Sequence, residues 1–344
     1  MLPFPAPDPL VVLVTPVYNG AEFLEQTMEC VQAQTYRNLV HYVLDNASTD
    51  ATPAIIARFE GRGVRVISAR NAATLPVIDN WNAALELIPP QTNYFRILSA
   101  DDAIAPSYIE KMVAQGERHP TVCAIACLEK RGPILVGAGL PSDQTVLDGR
   151  AVIRRALLRK AEFPFDHCLY RYPSGGIAPD FFAREYYGTK LLCTDTDAAI
   201  RLISKGSCAL VYEQLAMTRW PGSVTAAQML PHQVGIWSLL QLIDRWGQLV
   251  FDTEAEYLSC RKQHLHYYYL HLLFWMARGQ TELVALHQEW LRRASASPTT
   301  ADYIRSFGGL HLLLARRLLR WAQRSAQFVQ KPGTQGLASA PGSA

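Results

Sequence analysis

The sequence predicts an α/β protein: a mainly parallel sheet flanked by helices, with an appended C-terminal helical region. Short β-branched runs alternate with helix-patterned segments between residues 11 and 128. These runs are apolar throughout rather than at every second position, as strands covered on both faces require. From about residue 225 the pattern turns almost wholly helical. The expected division is therefore 1–224 for the sheet domain, 225–330 for the helical region and 331–344 for a tail. That tail, "KPGTQGLASAPGSA", has the composition of a disordered segment.

The elements follow in order. "VVLVTPV" (11–17) reads as the first strand, and Phe23, Leu24, Met28 and Val31 then mark one apolar helix face. "LVHYVL" (39–44) is the second strand. Thr52-Pro53 supplies an N-cap followed by proline at the first helical position. "VRVIS" (64–68), a helix around 77–87, "YFRILS" (94–99), a helix from Pro106 and "VCAIACL" (122–128) complete the alternation. Residues 130–150 are rich in glycine and proline and read as a loop. "GRAVIRRALLRK" (149–160) is helical, and "YPSGGIAP" (172–179) is a loop. No internal repeat is present.

The 344 residues are 49% hydrophobic and 18% charged, which suits a folded chain with a sizeable core. A net charge of +3 creates no global demand for nucleic acid, and none is expected as a partner. Seven cysteines are scattered without CxxC or zinc spacing, and "MLPFPAPDPL" lacks the pattern of a secretory leader. No run reaches the ~18 apolar residues of a membrane span. The expectation is a cytoplasmic protein, soluble or peripherally attached at the inner face of the membrane.

In parallel sheets ligands bind at the carboxyl ends of the strands, so the chemistry is expected just after Pro16, Leu44 and Ser99. Four segments matter: "TPVYNG" (15–20), "LDNASTDAT" (44–52), "SADD" (99–102) and "CTDTDAAIRL" (193–202). Taken singly, each has a structural reading. Asp45 and Asn46 are turn-formers after a strand, Asp50 can brace a helix start, and Asp195 and Asp197 can complement a helix dipole. The adjacent pair Asp101-Asp102 is different, because two carboxylates at a strand end repel unless a cation or a raised pKa relieves them. Hard oxygen ligands suit Mg²⁺ or Mn²⁺ completed by phosphates and water.

In that order, the four segments resemble the family 2 glycosyltransferases, an inverting group with the GT-A nucleotide-sugar-binding fold. The resemblance covers roughly residues 10–220. It implies a nucleoside-diphosphate-sugar donor, a glycan or lipid-linked acceptor, and work in cell-surface glycan or polysaccharide synthesis. Pro16, Val17, Tyr18 and Asn19 would line the base pocket with Tyr18 as the stacking face. Asp45 or Asn46, with Ser48, would meet the nucleobase. Asp101 would sit near the ribose, and Asp102 would hold a divalent cation (Mn²⁺ or Mg²⁺) against the diphosphate. Asp195 takes the family's base position, with Asp197 as the other candidate, and Arg201 matches the family arginine. Thr194 replaces an acid, and Ala198-Ala199 replaces Leu-Trp.

Further contacts to acceptor or phosphate are expected from Asn80 and Asn82 in "DNWNAAL", from Ser174, Gly175 and Gly176, and from Arg219, although Pro221 replaces the family histidine after it. Asn80 and Asn82 read equally as helix caps, and the Ser-Gly-Gly run as a plain turn. His167 reads as a hydrogen-bonded structural histidine. "HLHYYYLHLLFWMARG" (264–279) reads as a packed helix interface. Residues 311–324, "HLLLARRLLRWAQR", form a basic amphipathic pattern that suits either an anionic bilayer or an ordinary solvated face. Two rivals stand beside the transferase: a non-catalytic nucleotide-sugar-binding scaffold on the same fold, and a nucleotidyltransferase. The latter group carries a Gly-rich loop with arginine and lysine after strand one, which "TPVYNGAEFLEQ" lacks.

Overall fold

The computed structural model describes residues 8–163, 165–178, 180–191, 193–219 and 231–308. The expected tail and the basic segment 311–324 lie outside them. Four parallel strands form the first half of a ten-stranded sheet: β1 (Val11–Val17), β2 (Leu39–Asp45), β3 (Arg65–Arg70) and β4 (Tyr94–Ile97), in spatial order β3-β2-β1-β4. Helices α1 (Leu24–Gln32), α2 (Thr52–Ala57) and α3 (Val77–Leu85) connect them. All of β1 is buried, the burial its unbroken apolar run requires. In α1 the buried residues Leu24, Thr27, Met28 and Val31 follow the helical period.

The second half departs from the expected parallel order. After β5 (Ala103–Ile104) and α4 (Tyr108–Arg118) comes the long β6 (Val122–Arg131). Strands β7 (Ile134–Val136) and β8 (Val146–Asp148) then interrupt the expected 130–150 loop, and α5 (Gly149–Leu157) follows. A 3₁₀ turn, Phe165–His167, leads into β9 (Leu169–Arg171), which lies antiparallel between β4 and β6. The hairpin β10 (Glu185–Tyr186) and β11 (Thr189–Lys190), α6 (Thr194–Ile203) and β12 (Ser207–Thr218) complete this half. β12 runs parallel to β6 and antiparallel to β5 and β8. Three-residue strands are too short to show a period, which is why they read as loop. β12, with "YEQ" exposed in its middle, shows no continuous apolar run.

This topology opens the crevice. The chain moves outward from β1 through β2 to β3, then returns to place β4 on the other side of β1. The β1–β4 ladder ends at Val14 and Ile97, whereas β1 stays paired with β2 to Val17 and Asp45. Pro16 therefore falls where β1 has lost its β4-side partner, and its missing N–H leaves no ladder bond unmade.

By its contacts the chain divides after Arg261. Helix α7 (Gly235–Val250) belongs to the sheet unit because Leu242, Ile243 and Val250 share one core with Val152, Ile153 and Leu157 of α5. A helical period reveals a helix but not the surface it covers. The second unit starts within α8 (Glu254–Ala277) and includes α9 (Thr281–Arg293) and α10 (Thr300–Phe307). Its interior is aromatic: buried His287 packs between Trp275 and Trp290, at ring separations of 4.6 and 4.8 Å, and meets the Tyr268 hydroxyl. Within the tract 264–279, His264, residues 268–272 and Trp275 are thus packed core, while residues 276–279 are exposed. Among the described residues no helix is long and apolar enough to cross a membrane.

Candidate active site

The loops after β1 and β2 clasp each other. Asn19 adopts φ +47°, its N–H donates to Ser48 Oγ (2.9 Å), and its Oδ1 accepts from the Thr49 N–H (2.9 Å). The N–H of Gly20 donates to Thr52 Oγ1, and Asp50 accepts from the N–H groups of Ala21 and Thr52 at 3.0 Å. Asn19, Ser48 and Asp50 therefore shape the loop. Tyr18 stays 51% exposed on it as an available aromatic face.

Asp45 is buried at the end of β2. Its Oδ1 accepts from the Ser48 N–H (2.9 Å), and its Oδ2 is ion-paired with Arg70, whose other nitrogen donates to the Ser48 carbonyl (2.9 Å). Arg70 was missed in the sequence; a charged residue at the carboxyl end of a parallel strand is the signal that marks it. Asn46 turns the other way. Its amide donates to the Leu75 carbonyl and accepts from the N–H of Leu75 and from Asn71, which also donates to Asn80. Asn46 and Asn80 thus brace the segment between β3 and α3. Asn82 likewise exchanges two hydrogen bonds with the backbone of Phe182 (2.9 and 3.1 Å).

The carboxylate pair follows β4. Leu98 still donates to Val14, and Asp102 then folds back in a turn onto the Ser99 carbonyl (3.2 Å). From α1 the Thr27 hydroxyl lies 2.9 and 2.8 Å from the carbonyls of Ala100 and Asp102, tying the turn down. Asp102 is nearly buried, and Asp101 is partly open. Burial pushes the Asp101 carboxyl up, against the pull of nearby Arg219. The Arg219 guanidinium lies 4.1 Å over the Phe23 ring and donates to Gln26 (2.8 Å).

Behind Asp102 lies a buried polar cluster. His167 Nδ1 meets Arg96, and His167 Nε2 lies 2.5 Å from Thr218 Oγ1, 3.6 Å from Glu129 and 3.8 Å from Asp102. Burial and the positive charges of Arg96 and Arg131 push this imidazole well below its ordinary pKa. Glu129, fully buried, is gripped by Arg131 through two bonds of 2.8 and 3.0 Å.

At the start of α6, Asp195 is partly open and its Oδ1 accepts from the next N–H, that of Thr196 (2.7 Å). Helix α6 packs against the turn that carries His167. Asp197 differs: it is fully buried, accepts from Trp246 Nε1 at 2.7 Å, and is ion-paired with Arg245 Nε at 2.7 Å and Arg201 at 3.4 Å. The Ser174-Gly175-Gly176 run is a turn, closed by Gly176 N–H on the Pro173 carbonyl, with Gly176 at φ +77°.

A sheet reversing order at β1, with acids at the ends of β2 and β4, defines a GT-A-like domain with an appended helical region. Residues 12–170 match the family model described as Glycosyl transferase family 2. An uncharacterized glycosyltransferase of Haemophilus influenzae is 29% identical over 117 residues, 34% of this chain and 36% of that protein. The succinoglycan biosynthesis protein ExoO of Rhizobium meliloti is 28% identical over 118 residues, 32% of this chain and 30% of its own length. The chain thus matches about a third of these relatives' length. In fold it is similar to a mannosyltransferase from Pyrobaculum calidifontis solved with GDP-Man and Mn²⁺, with a TM-score of 0.53 and 18% identity over 95% of this chain and 87% of that one.

Proposed function

We propose that this chain is an inverting glycosyltransferase that moves a sugar from a nucleoside-diphosphate donor to an acceptor hydroxyl, with a divalent cation. The observation that carries the reading is the pair Asp101-Asp102 beside the β1–β4 crevice, backed by the buried Arg96 and flanked by Arg219. The residues fit such a cation. Asp102, a hard oxygen donor on the turn after β4, would hold it, and phosphate oxygens and water would supply its other ligands. When bound, the cation supplies countercharge to the leaving diphosphate.

The remaining roles fall to side chains. Tyr18 stacks on the base, Asp45 held by Arg70 meets its polar edge, and Asp101 lies toward the ribose. Asp195 takes the proton from the acceptor hydroxyl as that oxygen attacks the anomeric carbon. The sugar–phosphate C–O bond breaks on the opposite side, the configuration inverts, and the nucleoside diphosphate leaves with the bonding electrons. Asp195 suits the role better than Asp197, whose carboxylate is consumed by Trp246 and Arg245. The neighbour holding GDP-Man and Mn²⁺ supports the donor class, and the succinoglycan relative supports a polysaccharide setting. A non-catalytic scaffold on this fold is not favoured by any contact in the site.

Thermal shifts with UDP, GDP, dTDP and CMP, each with Mn²⁺ or with EDTA, test the reading. A ligand that binds only the folded state raises Tm by mass action. A nucleoside diphosphate that shifts Tm only with metal is the expected result. No shift with any of them would overturn the donor site.

A further inference from the structure

The geometry points to His167 as a positioning residue for the Asp102 carboxylate, passing the influence of the buried Arg96 forward to it. This rests on the transferase reading for the purpose of Asp102, but its argument comes from the cluster itself.

The hydrogen bonds choose the tautomer. A guanidinium can only donate, so His167 Nδ1, which meets Arg96, must be the acceptor. The ring proton is then on Nε2, the nitrogen that faces Thr218, Glu129 and Asp102. Tyr108 holds the turn from behind through a 2.9 Å bond to the His167 carbonyl. The imidazole is fully buried and has one orientation that serves both neighbours.

The charges then sort themselves. Glu129 has a two-pronged partner in Arg131. Arg96 is 1% exposed, makes no ion pair among the described residues, and leaves Nη1 without a hydrogen bond. Its guanidinium lies 4.8 Å over the Tyr108 ring and feels the negative charge of Asp102. A buried guanidinium adds little to stability compared with an apolar residue of similar size. Its position is intelligible if its charge is used, and the carboxylate it faces through His167 is Asp102. Thr218, on Nε2 of the same ring, ends β12 directly before Arg219, so one imidazole bonds the end of β12 and lies beside the Asp102 carboxylate of the turn after β4. The ring N–H is bonded to Thr218 at 2.5 Å, and the Asp102 carboxylate lies 3.8 Å from the same nitrogen, so it faces the positive edge of a fixed ring before a cation arrives.

The experiment measures Mn²⁺ affinity by electron paramagnetic resonance of free Mn²⁺, alone and with GDP or UDP, beside Tm and circular dichroism. Asp102→Asn, expected to lose Mn²⁺, is the reference. His167→Gln keeps a donor near the Nε2 position, whereas His167→Leu removes it. Leu should weaken Mn²⁺ binding by about ten- to a hundredfold while Gln stays within about threefold of wild type. Should the Leu variant not fold, His167→Asn, which keeps only an acceptor near Nδ1, takes its place with the same expectation. Wild-type affinity in a folded Leu or Asn variant, or affinity that falls in step with Tm in all of them, would overturn the positioning role. Equal Mn²⁺ binding by wild type and Asp102→Asn would instead overturn the metal reading. The two failures are therefore distinguishable.

Discussion

Trp246 donates its indole N–H to a carboxylate oxygen of Asp197 at 2.7 Å, and Asp197 is completely buried. With Arg245 on the same oxygen and Arg201 on the other, this acid fastens α6 to α7. Removing one member of a buried ion pair leaves its partner uncompensated, typically at a cost of about 3–5 kcal/mol. Asp197→Ala should therefore lower unfolding stability by about that amount in urea. Asp195→Asn, two residues earlier and partly open, should stay within about 0.5 kcal/mol of wild type. Its turnover should fall by about 10²–10⁴, as expected for a lost general base. Turnover that survives Asp195→Asn would return the base role to another residue.

Asp102→Ala should abolish the metal-dependent part of the nucleotide thermal shift. The backbone of its turn is held by Thr27 and Ser99 independently of its side chain, so the turn should persist. A crystal structure or circular dichroism checks that the fold is intact. Metal-dependent binding equal to wild type would remove the proposed role of the pair.

The parallel half of the fold was legible because β1 and most of β2 are near-continuous apolar runs, a pattern that burial on both faces produces, although β3 is exposed at alternate positions. The carboxyl edge, where the donor is proposed to sit, was marked by the strand ends: Tyr18 follows β1, Asp45 ends β2, and Asp101 and Asp102 lie in the turn after β4. What the sequence could not reveal were partners distant along the chain. Asn82 looks like a free helix-start amide until Phe182 is seen on it, 100 residues later. In sequence Asp197 and Asp195 look alike, and only the structure shows Trp246 on Asp197. His167 is unremarkable in sequence, and only the approach of β4 and β12 gives it Arg96 and Thr218.

His41 predicts a pH dependence. It is fully buried between strands, with Nε2 2.8 Å from Thr15 Oγ1, and burial lowers its pKa to about 4. Unfolded, it titrates near 6.5. Between those values the unfolded chain binds the extra proton, so this contribution is full above about pH 6.5 and is lost as pH falls toward 4. The loss amounts to about 3 kcal/mol. His167, also pushed down by burial, acts in the same direction. Urea denaturation of wild type and His41→Gln from pH 7.5 to 4.5 checks this: the wild-type stability should fall more steeply. Parallel curves would show that His41 is not the titrating group.

Arg70 gives the last prediction, because it makes nucleotide binding depend on a residue outside the motifs. Its guanidinium is half-exposed, yet it contacts the buried Asp45 carboxylate with one nitrogen and the Ser48 carbonyl with another. That two-pronged grip sets the direction of a carboxylate proposed to read the base, and it closes the loop on which Ser48 and Asn19 clasp. A lysine keeps the charge but lacks the planar fork. If orientation is what matters, Arg70→Lys should weaken nucleoside-diphosphate binding nearly as much as Arg70→Met. Each should raise Kd by about tenfold or more in calorimetry, the loss of one charge-assisted hydrogen bond being about 1.5–3 kcal/mol. If charge alone matters, lysine should restore binding. Wild-type affinity in both variants would separate Asp45 from base recognition, leaving Tyr18 and the carboxylate pair to hold the donor.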